Sequence, residues 1–247
     1  MFMRSSALAY LMIVSLAAYL SLDSQIQSPV EAQGLGGAVA RQNLDLPYDA
    51  GFFQGDSSEE ESAEVVNFYG QQYEGDGIFF AIDRSGSMQS SGELQIAKRE
   101  VSKNITEFTN RVQFGIVFFD RSITKYPSSG RPAESTPSMK AGALNWLNSV
   151  PGGGGSCAQE GLVQAMQFAN FATSQRRVVV YVGDGGGTCN GADEANYLRQ
   201  TVSIIKAQNY QRAQVNAIGV LDVDANGEQF MRSLAASNGG SYTRINR

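Results

Sequence analysis

Three oxygen-bearing side chains stand at alternate positions in Asp83-Arg84-Ser85-Gly86-Ser87. With this spacing, one turning loop can aim a carboxylate and two hydroxyls at a single point, and Gly86 lets the backbone bend tightly. Such donors suit a hard divalent cation. Mg²⁺ takes oxygens in a near-octahedral array and keeps several of its waters, which hydroxyls and nearby carboxylates accommodate. A serine-rich turn with an aspartate cap has the same composition, so the position of the segment in the chain must decide between the two readings. The rest of the composition narrows the chemistry further. The 247 residues include no histidine, which removes Ser-His-Asp and Cys-His nucleophile systems and imidazole-built zinc sites. Two cysteines are too few for a four-thiolate metal site. A formal net charge of -5 argues against nucleic-acid binding, which relies on Lys and Arg to neutralise phosphates.

The element that must carry this loop is Gly77 to Ile82, a continuous apolar run ending directly before Asp83. Such a run marks a strand buried on both faces. A possible capping box, Ser90-x-x-Glu93, then opens a helix, whose stripe Leu94, Ala97, Val101, Ile105 and Phe108 keeps the 3.6-residue period. Further strands are expected at 112–119, 122–126 (antiparallel to its neighbour), 177–182, 214–220 and 241–245. Helices are expected at 139–150, 157–171, 192–208 and 227–237. With 42% hydrophobic residues the chain can bury a real core. Alternation of apolar strands with amphipathic helices implies an α/β fold: a doubly wound, mostly parallel central sheet with helices on both faces. In such sheets ligands bind beyond the carboxyl ends of the strands, at a topological switch point. The polar, Gly-rich connections after Ile82, before Cys157 and after Val182 should meet there.

Other motifs carry less. Pro151-Gly-Gly-Gly-Gly-Ser156 and Gly185-Gly-Gly187 lack the Gly-Lys-Ser/Thr of a P-loop, so no nucleotide is expected. Asp222-Val-Asp224-Ala-Asn226-Gly227 begins like an EF-hand loop, but Ser233 occupies the position that needs glutamate. It fits an ordinary strand-to-helix connection and an acidic rim. Asn104-Ile-Thr106 is formally a glycosylation acceptor, although it falls on an expected helix.

The segment Ile78-Phe-Phe-Ala-Ile-Asp-Arg-Ser-Gly-Ser-Met88 closely resembles the metal-ion-dependent adhesion site of von Willebrand factor A domains, of the bacterial extracytoplasmic type. The likeness in strand and helix order runs through most of Gly75 to Arg247. In that family a second loop supplies a threonine after two glycines; the matching stretch is Gly154-Gly155-Ser156-Cys157, so Ser156 stands where the family has threonine. The hydroxyl is kept and the rotamer-stiffening methyl lost. The family's third loop carries Asp-Gly after an apolar strand, matched by Asp184-Gly185. The resemblance therefore implies metal ligands Asp83, Ser85, Ser87, Ser156 and Asp184. The serines would touch Mg²⁺ (with Mn²⁺ or Ca²⁺ as alternatives), and the aspartates would hold it largely through water. If the loops converge as in the family, Cys157 and Cys189 border the same site and, in an oxidising compartment, form a disulfide; two unpaired thiols are the other reading. Arg84, between the ligands, is expected to be exposed and either to contribute to recognition or to be merely solvated.

Residues 1–22 form the last piece. Ser5 to Leu22 is uncharged, with Arg4 before it and Asp23 after it. That pattern reads as an apolar helix serving as a signal peptide or an N-terminal membrane anchor, with a small-residue cleavage pattern at Val30-Glu31-Ala32. Either places the remainder outside the cytoplasm, periplasmic or at the cell surface. Residues 23–75, rich in Gly, Gln, Ser and acids, read as a flexible spacer, and 76–247 as the domain. The expected function is a non-enzymatic adhesion or assembly module that captures a partner protein's carboxylate on the metal. Its alternatives are a docked structural subunit of a membrane complex and a metal-dependent hydrolase.

Overall fold

The structure, a computed structural model, describes residues 63–245 except 186, 188 and 192. The N-terminal apolar segment, and with it the choice between signal peptide and anchor, lies outside the described residues, as does residues 23–62 of the expected spacer. No helix among the described residues is long and apolar enough to cross a membrane.

Strands β1 (Val65–Phe68) and β2 (Gln71–Glu74) form an antiparallel hairpin. Next come β3 (Gly77–Asp83), α1 (Gly86–Ser90), α2 (Glu93–Glu107), β4 (Gln113–Phe119), β5 (Ile123–Tyr126) and β6 (Ala133–Glu134). The chain continues through α3 (Pro137–Ser149), α4 (Ala158–Phe171), β7 (Arg177–Gly183), α5 (Glu194–Gln208), β8 (Gln214–Val220), α6 (Ala225–Ser237) and β9 (Tyr242–Ile245). Among the described residues the main sheet has the order β5-β4-β3-β7-β8-β9, with β6 also paired to β4. The run β4-β3-β7-β8-β9 is parallel, and β5 and β6 are antiparallel to β4. From β3 the chain moves outward to β4 on one side; from β7 it moves outward to β8 on the other. The direction reverses between β3 and β7, which makes their carboxyl ends the switch point where ligands bind in open sheets.

Burial follows the pleat, since successive residues of a strand point to opposite faces. Ile78, Phe80 and Ile82 pack with Leu94, Val101 and Ile105 of α2 and Leu147 of α3. On the other face, Phe79 and Ala81 pack with Leu162 and Phe168 of α4, Leu198 and Ile205 of α5, and Phe230 and Leu234 of α6. Every residue of β3 and of β4 is buried, as their apolar runs require. The doubly wound fold stands.

Local readings differ at two places. Residues 65–74 fell within the expected spacer, yet Val66, Phe68 and Tyr73 are buried in the core, with the Phe68 and Phe80 rings 5.0 Å apart. The turn is Tyr69-Gly70, both at positive φ (53° and 76°), as a two-residue type I′ hairpin needs. Tyrosine is an unusual occupant there, so the sequence carries no Asn-Gly or Asp-Gly turn signal. The expected Ser90-x-x-Glu93 capping box does not form either. Ser90 ends α1, and α2 begins after Gly92, which sits at φ +83°; the nearby hydroxyl that accepts from the Glu93 amide belongs to Ser91 (3.3 Å). The short α1 that carries Ser87 takes up the residues between strand and long helix.

Candidate metal centre

Asp83 is the last residue of β3 and is fully buried. Its Oδ1 accepts the Ser85 amide at 2.6 Å, and its Oδ2 accepts the Ser156 hydroxyl at 2.7 Å. Ser85 is the N-cap residue of α1 and Ser87 lies in its first turn, with their hydroxyl oxygens 3.0 Å from each other. Ser87 in turn donates to Oδ2 of Asp184, which follows the end of β7. The five residues singled out from sequence thus form one continuous hydrogen-bonded chain, gathered from three loops.

Backbone contacts explain why the second loop arrives there. The Gly86 amide donates to Gly154 (3.1 Å), Gly153 donates to the Arg84 carbonyl (2.9 Å), and Cys157 donates to the Asp120 carbonyl (3.0 Å). The third loop lies directly against the second. At Gly187 (φ +119°) an added Cβ would stand 2.6 Å from Ser156 Cβ, so only glycine permits this approach. A Cys157–Cys189 disulfide, Cα–Cα 4.7 Å, joins the same two loops covalently, as expected from the likeness.

The electrostatics favour a cation. Burial, reinforced by the charge of Asp184, pushes the Asp83 carboxyl up to about 7, against the lowering effect of hydrogen bonds from Ser156 and Ser85. Burial also raises the Tyr181 hydroxyl, with Asp83 and Asp184 adding to the effect. A cleft of about 660 Å³ opens over Ser85, Ser87, Ser156 and Asp184 and extends to Leu221, Asp222 and Asp224. No lysine or arginine lines it among the described residues. Hydroxyl and carboxylate oxygens alone, converging on a cleft floor without a compensating cation, are the donor set of a hard divalent ion.

Other sequence readings come out differently. Arg84 is not an exposed recognition residue: it is 7% exposed, and its guanidinium donates to Asp120 Oδ1, Ser122 Oγ and the Pro151 carbonyl. Alternation explains this, because the residue between two inward-facing ligands must point behind the loop. Asn104 is buried, its amide donating to the Asn67 and Glu100 carbonyls, so it is no glycan acceptor. In the EF-hand-like segment, Asp224 caps α6 by accepting the Gly227 amide at 2.7 Å, while Asp222 and Asp224 form the expected acidic rim of the cleft. Asp120, which no sequence motif singles out, comes directly after the apolar strand β4, whereas Asp83 is the last residue of β3.

Residues 78–186, which include Asp83, Ser156 and Asp184, match the family model described as von Willebrand factor type A domain. Among solved structures the fold is similar to von Willebrand factor type A from Catenulispora acidiphila, at 18% identity over 71% of this chain and 40% of that one, TM-score 0.60. It is also similar to the pilus adhesin SpaC from Lactobacillus rhamnosus GG in its open conformation (16% identity, 75% of this chain and 29% of that one, TM-score 0.54). A third likeness is proximal thread matrix protein 1 from the mussel byssus, solved with a zinc-occupied MIDAS motif (20% identity, 68% of this chain and 41% of that one, TM-score 0.50). At these identities the similarity is one of fold, and this chain spans less than half the length of each of the three. No curated protein matches it. By the family model matched over residues 78–186 and the fold shared with these structures, this stretch reads as a von Willebrand factor type A domain.

Proposed function

We propose that the domain is a protein-binding module of the adhesion or assembly type that works through a divalent cation, Mg²⁺ in the first instance. The observation that carries this reading is the convergence of Ser85, Ser87, Ser156 and Asp184 on an open cleft, with the buried Asp83 hydrogen-bonded to Ser85 and Ser156 behind them. Ser85, Ser87 and Ser156 would ligate the ion directly, with Asp83 and Asp184 acting largely through water. Neutral hydroxyls leave a bound cation much of its charge, so an open position favours an incoming carboxylate from a partner protein. Likeness in fold to a pilus adhesin and to a byssus protein with a zinc-occupied motif supports adhesion over catalysis. The absence of histidine from the sequence supports it too, because a metal-dependent hydrolase would have to find its base among the site's own carboxylates.

On this reading residues 1–22 deliver or anchor the chain outside the cytoplasm, a spacer follows, and the domain takes in the hairpin that starts at Val65. A docked subunit of a membrane complex would use the same cleft.

The test has two stages. Mg²⁺ or Mn²⁺ should bind the purified protein and fail to bind Asp83→Ala. A partner captured from the envelope fraction with Mg²⁺ should be released by EDTA. Capture that persists in EDTA and with Asp83→Ala would sink the metal-bridge mechanism.

A further inference from the structure

Arg84 stands in sequence between two of the proposed metal ligands, yet its side chain leaves the cleft. One guanidinium nitrogen, Nη1, donates to the Pro151 carbonyl at 3.2 Å; the other, Nη2, donates to Asp120 Oδ1 at 3.1 Å and Ser122 Oγ at 2.8 Å. Its backbone carbonyl holds the Gly153 amide. A single residue therefore ties the first metal loop to the turn after β4 and to the start of the glycine run. Asp120 completes the frame: its carbonyl accepts the Cys157 amide at 3.0 Å, and a Cβ on Gly154 (φ +83°) would lie 2.7 Å from its Oδ2. The loop is pressed against this carboxylate.

Four consecutive glycines, 152–155, precede Ser156. Glycine has the greatest backbone freedom to lose and no side chain with which to pack. Where such a run places the next residue must therefore come from contacts made to its backbone. Within the run, Gly153 donates to the Arg84 carbonyl and Gly154 accepts from the Gly86 amide; its two flanks are held by the forked guanidinium at Pro151, by Lys98 Nζ at the Val150 carbonyl and by the Asp120 carbonyl at Cys157. The Arg84–Asp120 pair is itself withdrawn from solvent, with side-chain exposures of 9% and 14%. Removing either partner would leave the other charge buried and uncompensated.

We propose that Arg84 and Asp120 are positioning residues of the metal centre, setting where the glycine run delivers the Ser156 hydroxyl; this rests on the metal reading above. Neither touches the ion. Their effect is on its affinity.

The experiment measures Mn²⁺ affinity by electron paramagnetic resonance on the purified chain, alongside thermal melts. Variants are Arg84→Met, Arg84→Lys, Asp120→Asn and, as a control, Val215→Ala, which opens the core on β8 away from the metal loops. Arg84→Met and Asp120→Asn should weaken Mn²⁺ by about tenfold to a hundredfold, the usual effect of losing residues that orient metal ligands. Arg84→Lys should not rescue, because one ammonium cannot reproduce the planar fork to Pro151, Asp120 and Ser122. Val215→Ala should lower the melting temperature and leave the affinity unchanged. If Arg84→Met does not fold, Asp120→Asn and Arg84→Lys carry the test. Unchanged affinity in those folded variants would overturn the positioning role, as would equal weakening by Val215→Ala. Failure of the unaltered chain to bind Mn²⁺ would remove the metal reading and this proposal with it.

Discussion

Replacing Asp83 by asparagine separates the two demands placed on this residue. The side chain is fully buried, and its carboxyl is raised from 3.8 to about 7, by burial first and then by Asp184. A folded-state value above the unfolded one means that the native state holds the proton more tightly. Without metal, the contribution of Asp83 to stability is then fully present below about pH 4 and is lost as pH rises towards 7. At alkaline pH the rise from 3.8 to about 7 corresponds to about 4 kcal/mol, at about 1.4 kcal/mol for each tenfold change in proton affinity. Asparagine keeps the shape, and its oxygen still accepts the Ser85 amide. The Ser156 hydroxyl need only rotate to accept from the new NH₂. In EDTA at pH 8, Asp83→Asn should therefore melt higher than the unaltered protein by roughly 10 °C, at about 2–4 °C per kcal/mol for a domain of this size. At pH 4 the two should converge. Mg²⁺ should narrow the advantage, by about 2.7 kcal/mol at a hundred times its Kd, and cancel it near a thousand times, where the form that binds gains about 4.1 kcal/mol. Scanning calorimetry at pH 4, 6 and 8, with Mg²⁺ and with EDTA, reads all of these outcomes. An Asp83→Asn variant that melts at or below the unaltered protein in EDTA at pH 8, or Mg²⁺ that stabilises both alike, would refute a buried carboxylate costly without metal.

Three further outcomes are expected. Replacing both cysteines by serine removes a link between residues 32 apart, which should cost about 3–4 kcal/mol by the chain-entropy estimate; urea melts under non-reducing conditions measure it, and divalent-ion affinity should fall in the same variant. Phe68→Ala should cost about 3–5 kcal/mol, the usual penalty for truncating a buried aromatic, since Phe68 is fully buried beside Phe80; a loss below about 1 kcal/mol, small for a core truncation, would mean that the hairpin is not integral to the domain. Expression in a glycosylating host should leave Asn104 unmodified, because its amide is buried and hydrogen-bonded to two carbonyls; intact mass spectrometry decides it.

Much of this architecture is legible in the chain itself because its signals are local. β3 and β4 are apolar at consecutive positions, as strands covered on both faces must be, and α2 repeats its apolar residues at the helical period. Asp83, Ser85 and Ser87 share one pentad whose chemistry needs no partner to be seen. What escaped is what depends on distant residues. The β1–β2 hairpin is short and rich in Gln and Glu, and only the apolar surface beside Phe80 gives Val66 and Phe68 a place to be buried. Arg84 looks solvent-facing in sequence, and the acceptors that draw it inward lie 36 to 67 residues away. Ser156 and Asp184 are reached in the sequence only through the family resemblance, because they are unremarkable in their own segments and become partners of Asp83 and Ser87 only where β3 and β7 lie side by side. Periodicity and donor type are properties of neighbours along the chain, so the sequence alone determined the sheet, its helices and the first loop of the proposed metal site. The proximity of three loops and the burial of a charge arise only when strands far apart in the chain pair, so the tertiary structure decided the rest of the site.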